Sequence, residues 1–396
     1  MFPDLTGQLH VREQQGLRRQ RAVMTGQQSV RVVIDNRSYL SFCSNDYLGL
    51  ASHPELIQAA CEGARQYGVG AGASHLINGH SMAHHALEQA LASFTGFPAA
   101  LAFSTGYMAN MGVITALAGR NDAIFADRLN HASLNEAALL SRARLIRYPH
   151  CDTVALERRL AASTCRRKLI VTDAVFSMDG DIAAVNRLIE LCEQYDAMLL
   201  LDDAHGFGVL GDKGRGILFS PAGGGLHSER IISRVIYMAT LGKAAGVFGA
   251  FVAAAEEVVE TLIQTAKGYI YTTASPPLLA HALLKSLERI ENDDWRRDKL
   301  YRLIKLLKIE LQPLKWQLMP SNTPIQPLVI GKALDTVRVS NSLKDKGILV
   351  PAIRQPTVPQ GTARLRISLS AVHEEADILF LADALRQIAA VDGVYG

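Results

Sequence analysis

Residues 199–211 read LLLDDAHGFGVLG and contain two features that could carry chemistry. An apolar run ends in Asp202, Asp203 and His205, and the glycines that follow form a G-x-G-x-x-G pattern. That pattern is typical of a turn that binds a dinucleotide pyrophosphate, but such a turn needs a helix directly after it. Here a glycine-rich segment, GDKGRGILFSPAGGGLHSE, follows, and the two aspartates would repel phosphates. The acids and the histidine are therefore the candidate functional residues.

Metal and hydrolase chemistry both fit these residues poorly. The D-D-x-H pattern lacks a third, distant group of ligands, and His80 and His84 at i, i+4 spacing also lack a third ligand. A serine hydrolase needs a G-x-S-x-G elbow, and GHSMA around Ser81 lacks its second glycine. We therefore expect neither a metal site nor a catalytic triad.

A third chemistry fits better, because a buried carboxylate at the end of a strand can keep a ring nitrogen protonated, as pyridoxal phosphate (PLP) enzymes require. Such an enzyme also needs a lysine, a phosphate cradle and a planar group against the ring. Lys243 follows a strand within the segment YMATLGKAAGVFGA. Gly106 and Tyr107 begin a predicted helix, whose free N–H groups suit a phosphate, and His131 lies at another strand-to-helix junction.

The elements that position these residues alternate between short apolar runs and helical patterns from about residue 98 to 255. Seven runs are predicted strands: AALAFS, AIFAD, ARLIRY, KLIVTDAVF, AMLLLDD, RVIYMAT and GAFVAAA. Unbroken apolar strands between amphipathic helices indicate a mostly parallel sheet covered on both faces. In such sheets a site lies beyond the carboxyl ends of the strands, where the candidate residues fall.

The rest of the chain predicts a smaller second domain. A long helical region begins near Leu278, and the segments PIQPLVIG, GILVPAI and ARLRISLS that follow are predicted strands. We therefore expect an N-terminal arm over residues 1–45, a large cofactor-binding domain over 46–285 and an α+β C-terminal domain over 286–396.

Composition excludes several classes of protein. The 396 residues are 48% apolar and 20% charged, and a net charge of +3 without a long basic run argues against nucleic acid. The longest uncharged apolar stretch, residues 244–255, is too short to cross a membrane, and the first residues lack an apolar signal region. Five scattered cysteines without C-x-x-C indicate reduced thiols, so we expect a cytoplasmic protein.

A series of motifs, in the same order, resembles the α-oxoamine synthases, which are fold-type I PLP enzymes. The motifs span nearly the whole chain: LRRQR, YLSFCSNDYLGLASHP, GVGAGASHLINGH, HHALEQALA, DRLNHASL, VFSMDGD, LLLDDAHGFGVLG, TLGKAAG and AIRQPTVPQGTARLRISLSA. The resemblance implies a large domain with a mostly parallel seven-stranded sheet flanked by helices, plus a smaller α+β C-terminal domain.

The resemblance also implies roles for individual residues. Lys243 matches the lysine that binds PLP covalently, Asp202 the acid paired with the pyridine nitrogen, and His205 the histidine near the phenolic oxygen of the ring. His131 matches the histidine stacked on the ring. Further cofactor contacts are matched by Gly106, Tyr107, Ser177 and Thr240, and by Thr272 and Thr273, which would reach the phosphate of a partner subunit in a homodimer.

The substrates implied are an amino acid and an acyl thioester. Arg354 matches the arginine that binds the carboxylate of the amino acid, whereas Arg18, Asn45 and Thr357 match contacts to acyl substrate or product; Arg18 could equally belong to a basic surface cluster. GASHL…GH together with R-x-P-T-V-P-x-G-T-A-R-L-R is more typical of the branch that condenses L-alanine with a pimeloyl thioester in biotin synthesis. The glycine-using branches, with acetyl-CoA or succinyl-CoA, are the alternative.

Two features of this chain depart from the family pattern without removing a reactive group. After Lys243 this chain has Ala244 and Ala245, where many members of the family have a glycine and a larger residue. Asp173 stands where other members have Glu. Whether the acyl group is carried by CoA or by an acyl carrier protein is left open by the sequence.

Overall fold

The computed structural model of the protein describes residues 4–15, 17–19, 21–223 and 229–391. Its strands are β1 (Met24–Thr25), β2 (Arg31–Ile34), β3 (Arg37–Ser41), β4 (Ala99–Phe103), β5 (Ala123–Asp127), β6 (Arg144–Tyr148), β7 (Lys168–Asp173), β8 (Met198–Asp202), β9 (Val235–Thr240), β10 (Ala250–Ala254), β11 (Gln317–Leu318), β12 (Ile325–Gly331), β13 (Ile348–Leu349), β14 (Ala352–Ile353) and β15 (Ala363–Ser368).

The α-helices lie before, between and after these strands. They are α1 (Leu5–Gln14), α2 (Pro54–Tyr67), α3 (Met82–Thr95), α4 (Gly106–Leu117), α5 (Ala132–Leu140), α6 (Thr153–Ala161), α7 (Val185–Gln194), α8 (Glu229–Arg234), α9 (Glu256–Thr265), α10 (Lys267–Ile270), α11 (Pro277–Asn292), α12 (Asp294–Leu311), α13 (Ala333–Asp345) and α14 (Glu375–Val391). No helix in the described part of the chain is long and apolar enough to span a membrane.

A seven-stranded sheet forms the centre of the molecule, in the order β4-β10-β9-β8-β7-β5-β6. Its strands run in one direction except β10, which is antiparallel to both of its neighbours. The seven strands predicted from the apolar runs are confirmed, and so is the mostly parallel sheet. The carboxyl ends of the six codirectional strands therefore meet at one edge, where the side chains of a site converge.

Both faces of this sheet are buried, as the unbroken apolar strands predicted. In β8, Leu199 and Leu201 belong to one core cluster whereas Leu200 belongs to another, and all three are fully buried. Because successive side chains of a strand point to opposite faces, this alternation requires helices on each side of the sheet.

Two smaller sheets complete the fold. β11, β12, β15 and β14 form an antiparallel sheet, and β1, β2 and β3 are joined by β13, which pairs with β3 in parallel. The sheet of β1–β3 thus links the expected N-terminal arm to the C-terminal part of the chain. The boundary expected at residue 285 falls inside α11. The division into three units stays a prediction.

Candidate active site

Four acidic and basic side chains converge at the carboxyl edge of the central sheet. Asp173 and Asp202 are the last residues of β7 and β8, His131 is the N-cap residue of α5, and Lys243 follows β9. Gly246 closes the turn at Lys243, because its N–H donates to the carbonyl of Lys243 at 2.9 Å and its φ is +71°. A Cβ there would lie 2.6 Å from the backbone of Ala51, so only glycine fits this turn.

The amine of Lys243 lies in an enclosed, charged environment. Burial lowers the pKa of Lys243 to about 8; Asp202 and Asp173 oppose this shift, and Arg366 adds to it. A lysine with this pKa is substantially neutral near pH 8, and a neutral amine is the form that acts as a nucleophile or base.

His205 connects Lys243 to Tyr47. The Nε2 of His205 lies 2.9 Å from the Nζ of Lys243, and its Nδ1 lies 2.6 Å from the hydroxyl of Tyr47. Burial, with the positive charges of Lys243 and Arg366, lowers the pKa of His205 well below its ordinary value. The imidazole is therefore neutral, and only one of its two ring nitrogens carries a proton.

Asp202 is buried and its carboxylate is oriented by amide groups. The side-chain amide of Asn110 donates to Oδ2 of Asp202 at 2.8 Å, and the N–H of Ala204 donates to Oδ1 at 3.0 Å. Asn110 also donates to the hydroxyl of Ser133 at 2.9 Å. The carboxylate is thus held in one orientation inside the site.

His131 is fixed at the start of α5. Its backbone N–H donates to Asp173 at 2.7 Å, and its Nδ1 lies 2.8 Å from the hydroxyl of Ser133. Burial lowers the pKa of His131, against the opposing effect of Asp202. Burial and the neighbouring Asp202 raise the pKa of Asp173 well above its usual range. Asp173 therefore fixes the backbone at His131.

The residues expected at the phosphate lie around the first turn of α4. Thr105 caps this helix by accepting from the N–H of Met108 at 3.1 Å, and Gly106 and Tyr107 are the first helical residues. Their N–H groups have no partner within the helix and suit an anion. Thr240 donates to the carbonyl of Gly249 at 3.0 Å.

Arg366, which the sequence analysis did not single out, is the arginine nearest to this chemistry. It is buried on β15, and its guanidinium donates at 3.2 Å to Oδ1 of Asn45, at 2.6 Å to the carbonyl of Ser177 and at 2.8 Å to the hydroxyl of Ser368. Tyr47 also donates to Asn45, at 3.1 Å. Arg366 therefore forms hydrogen bonds with two of the predicted site residues, Asn45 and Ser177.

The other predicted substrate residues lie apart from this group. Arg354 and Thr357 line a cleft of about 460 Å³, together with Arg12 and Arg19 of the N-terminal segment. Arg18 is exposed and forms an ion pair with Glu13 at 2.7 Å. The structure thus brings positive charge to the cleft, but no described contact joins Arg354 to Lys243.

Thr272 and Thr273 follow α10 at the surface. Thr273 pairs with Ser74 in an isolated bridge, and Thr272 is half-buried. Neither has a described hydrogen bond to the group around Lys243, and their contact with the phosphate of a partner subunit stays a prediction.

Sequence signals existed for the residues that were missed. Asn110 lies one turn after Gly106, as a polar residue on a largely apolar helix. Arg366 alternates with Arg364 along a strand whose six residues are all buried. Tyr47 lies two residues after the predicted Asn45. Each is a polar group that burial requires to have a partner.

These residues fit PLP. A desolvated lysine, a fixed carboxylate and an imidazole share one buried site, and the pKa values of Lys243 and His131 both respond to Asp202. The start of α4 adds N–H donors for a phosphate. This donor set matches the aldehyde, the ring nitrogen and the phosphate of the cofactor.

Comparison with known proteins agrees with this assignment. The Aminotransferase class I and II family matches residues 37–385. The 8-amino-7-oxononanoate synthase of Nitrosospira multiformis is 65% identical over 96% of this chain and 94% of its own length, and that of Nitrosomonas europaea is 63% identical over 98% and 100%.

Two solved structures extend the comparison. The 8-amino-7-oxononanoate synthase of Francisella tularensis has a TM-score of 0.76 and 30% identity, over 90% of this chain and 99% of that one. A serine palmitoyltransferase variant from S. paucimobilis with a bound PLP–myriocin aldimine has a TM-score of 0.91 and 27% identity, over 99% and 98%.

The fold and site therefore define a fold-type I PLP-dependent transferase. The chain belongs to the class I and II aminotransferase family and, within it, to the 8-amino-7-oxononanoate synthases, which are acyltransferases. PLP is its cofactor.

Proposed function

We propose that the protein condenses L-alanine with a pimeloyl thioester, releasing carbon dioxide and the thiol carrier and forming 8-amino-7-oxononanoate for biotin synthesis. The proposal depends on one observation: burial lowers the pKa of Lys243, so its amine is neutral near pH 8, and the fixed carboxylate of Asp202 acts on the same amine. The names of two similar relatives give the product, 8-amino-7-oxononanoate. L-Alanine and the pimeloyl thioester follow from the resemblance of the motifs to the branch of biotin synthesis.

Lys243, Asp202, His205 and His131 are the proposed catalytic residues, and PLP supplies the ring that delocalises the negative charge at the α-carbon of the amino acid. Asp202 pairs with the ring nitrogen, and Lys243 holds the aldehyde carbon. The free Nζ of Lys243 would take up the α-proton of L-alanine, because its lowered pKa leaves it neutral near pH 8. His205 neighbours this amine at 2.9 Å.

His131 and the cofactor-binding residues complete the arrangement. His131 would pack against the ring of PLP and would donate a hydrogen bond to the thioester oxygen as negative charge develops on it. Gly106, Tyr107, Ser177 and Thr240 hold the cofactor. Further phosphate contacts come from Thr272 and Thr273 of the other subunit in a homodimer.

Two arginines are available for the substrate carboxylates. Arg354 was predicted to bind the carboxylate of the amino acid. Arg366, however, is the arginine whose charge acts on Lys243 and His205. We therefore assign Arg366, with Asn45, to the carboxylate of L-alanine. Arg354 and Thr357 line the basic cleft and bind the acyl donor there. Arg18, in the adjoining N-terminal segment, is a further proposed contact to the acyl donor.

The test is product formation by the purified holoenzyme. L-Alanine would be supplied with pimeloyl-CoA or with a pimeloyl acyl carrier protein, and glycine with acetyl-CoA or succinyl-CoA, while thiol release and product mass are followed. We expect 8-amino-7-oxononanoate only with alanine and a pimeloyl donor, and no product from Lys243→Ala. Faster turnover with glycine would reject the proposal in favour of a glycine-using synthase.

A further inference from the structure

Two groups of side chains in the described part of the chain have ligand atoms close enough to share a metal ion: His75, His80 and His84, and Asp127, His150 and Cys151. In the first group both ring nitrogens of His84 are occupied. Its Nδ1 accepts from the N–H of Ser81 at 3.1 Å, and its Nε2 donates to the carbonyl of Ser275 at 2.8 Å. His75 and His80 face each other at 2.9 Å, a hydrogen-bond distance, so this group lacks a third free ligand.

Both ring nitrogens of His150 in the second group are also hydrogen-bonded, but their partners are the carboxylates of Asp127 and Asp181 rather than backbone groups. Asp181 can itself bind a metal, so the second group differs from the first. The Nε2 of His150 lies 2.8 Å from Oδ2 of Asp181, and the Sγ of Cys151 lies 3.7 Å from each of these two atoms. Ligands of a tetrahedral zinc ion, at about 2.0–2.3 Å from the metal, lie about 3.3–3.6 Å from one another. The triangle of nitrogen, sulfur and oxygen therefore needs shifts of about half an ångström or less to accept zinc.

Asp127 orients two of these three ligand residues, His150 and Cys151. Its Oδ1 lies 3.0 Å from Nδ1 of His150, and its Oδ2 accepts from the N–H of Cys151 at 2.7 Å. A histidine that binds a metal through one ring nitrogen usually donates its other N–H to a carboxylate, which fixes the ring. Cys151 also has a φ of +52°, a left-handed conformation that Asp127 helps to hold.

The ligand types and their exposure favour zinc. Thiolate and imidazole ligands select zinc over magnesium and calcium, which prefer oxygen. The side chains of His150 and Asp181 are 26% and 31% exposed, and Cys151 is half-buried. An ion can therefore enter from solvent without unfolding the chain.

We propose that His150, Cys151 and Asp181 bind one zinc ion, with water as the fourth ligand and Asp127 orienting His150. Binding converts the Cys151 thiol to a thiolate and leaves Nε2 of His150 unprotonated, and the displaced protons pass to solvent. The ion joins the segment after β6 to the turn over residues 177–181.

That turn also contacts the site and the C-terminal sheet. Ser177 accepts from Arg366, and the carbonyl of Gly180 accepts from the hydroxyl of Ser321 at 2.9 Å. Zinc therefore restrains the turn over residues 177–181, which contacts Arg366. The zinc ligands themselves are not among the proposed catalytic residues.

The experiment measures metal binding by the PLP-loaded protein. After removal of metal with a chelator, zinc is titrated in competition with a chromophoric chelator, and Co²⁺ is added as a spectroscopic probe. We expect one zinc per chain, long-wavelength bands of tetrahedral cobalt and a near-ultraviolet thiolate band. Cys151→Ser and Asp181→Asn should abolish stoichiometric binding, and Asp127→Asn should weaken it by about 10–100-fold.

Two control variants locate the ion. Cys165→Ser removes another half-buried thiol, and His80→Gln disrupts the histidine group; both should bind zinc as the unmodified protein does. PLP absorbance and thermal unfolding confirm that each variant is folded. Unchanged zinc affinity in Cys151→Ser, no zinc binding by the unmodified protein, or loss of binding in His80→Gln alone would overturn the proposal.

Discussion

The amine of Lys243 and the imidazole of His205 lie 2.9 Å apart in a buried site, and burial lowers the pKa of both. A neutral imidazole carries one N–H and one lone pair, so the group at Nδ1 determines whether Nε2, which faces the lysine, carries the proton. That neighbour is Tyr47, at 2.6 Å. The position of the proton between lysine and histidine thus depends on a residue from the N-terminal part of the chain.

The first prediction is that Tyr47→Phe lowers kcat by about 10-fold, because losing one partner of a buried hydrogen bond costs about 1–3 kcal/mol. The substitution leaves the aromatic ring in place and removes only the hydroxyl that contacts His205. Steady-state kinetics at saturating alanine and thioester measure the effect. The pH dependence of kcat should also shift, since the proton on His205 loses its partner.

Tyr39→Phe is the matched control for this substitution, because Tyr39 is buried in β3 within a separate small cluster. It should leave both kcat and its pH dependence unchanged. Equal effects of the two substitutions would show that Tyr47 contributes only packing.

The second prediction concerns the apoprotein, whose rate of PLP uptake should rise with pH around a midpoint near 8. Below this pH Lys243 is protonated and cannot attack the aldehyde; above it the amine is neutral. An unperturbed lysine would give a midpoint near 10.5. Stopped-flow absorbance after mixing apoprotein with PLP measures the profile.

Arg366→Gln tests the cause of this shift. Because the charge of Arg366 lowers the pKa of Lys243, its removal should move the midpoint upward. A midpoint that stays the same would mean that burial alone sets the pKa, and one above 10 in the unmodified protein would contradict the desolvated amine.

The sequence alone was sufficient to predict the central sheet and the edge at which the site lies. The apolar strands are buried on both faces, so their pattern depends little on the rest of the chain. Asp202, His131 and Lys243 follow such strands directly, and parallel strands bring their carboxyl ends to one edge. Local patterns therefore determined these positions.

Arg366 could not be placed in the same way. Its contact with Asn45 joins residues 321 positions apart, and it depends on how β15 packs against the segment after β3. The sequence shows a basic residue on a strand, but not which groups neutralise it. The parallel pairing of β3 with β13 likewise depends on contacts between distant parts of the chain.

The third prediction separates the two arginines. Arg366→Lys should raise the KM for L-alanine by about 10–100-fold with a smaller effect on the KM for the thioester, since lysine cannot reproduce a planar, bidentate contact. Arg354→Lys should mainly raise the KM for the thioester, because Arg354 lines the basic cleft. Initial rates with each substrate varied in turn measure both effects. A selective alanine defect in Arg354→Lys would restore the original expectation for Arg354.

The last prediction distinguishes two adjacent aspartates. Asp203 is fully buried and accepts from the N–H of Ile217 at 2.7 Å and from the hydroxyl of Tyr237 at 2.8 Å. Asp203→Ala removes the acceptor of the Ile217 N–H and leaves the Tyr237 hydroxyl with only the carbonyl of Arg215, at 3.4 Å. An unpaired buried donor costs about 1–3 kcal/mol, so the apoprotein should unfold at a lower temperature. Asp202→Ala removes the carboxylate that we propose pairs with the ring nitrogen of PLP, so its main effect should be on PLP affinity. Thermal unfolding with and without PLP separates the two, because Asp203→Ala should keep the stabilisation by PLP and Asp202→Ala should lose it. The opposite pattern would mean that Asp203, rather than Asp202, contacts the ring.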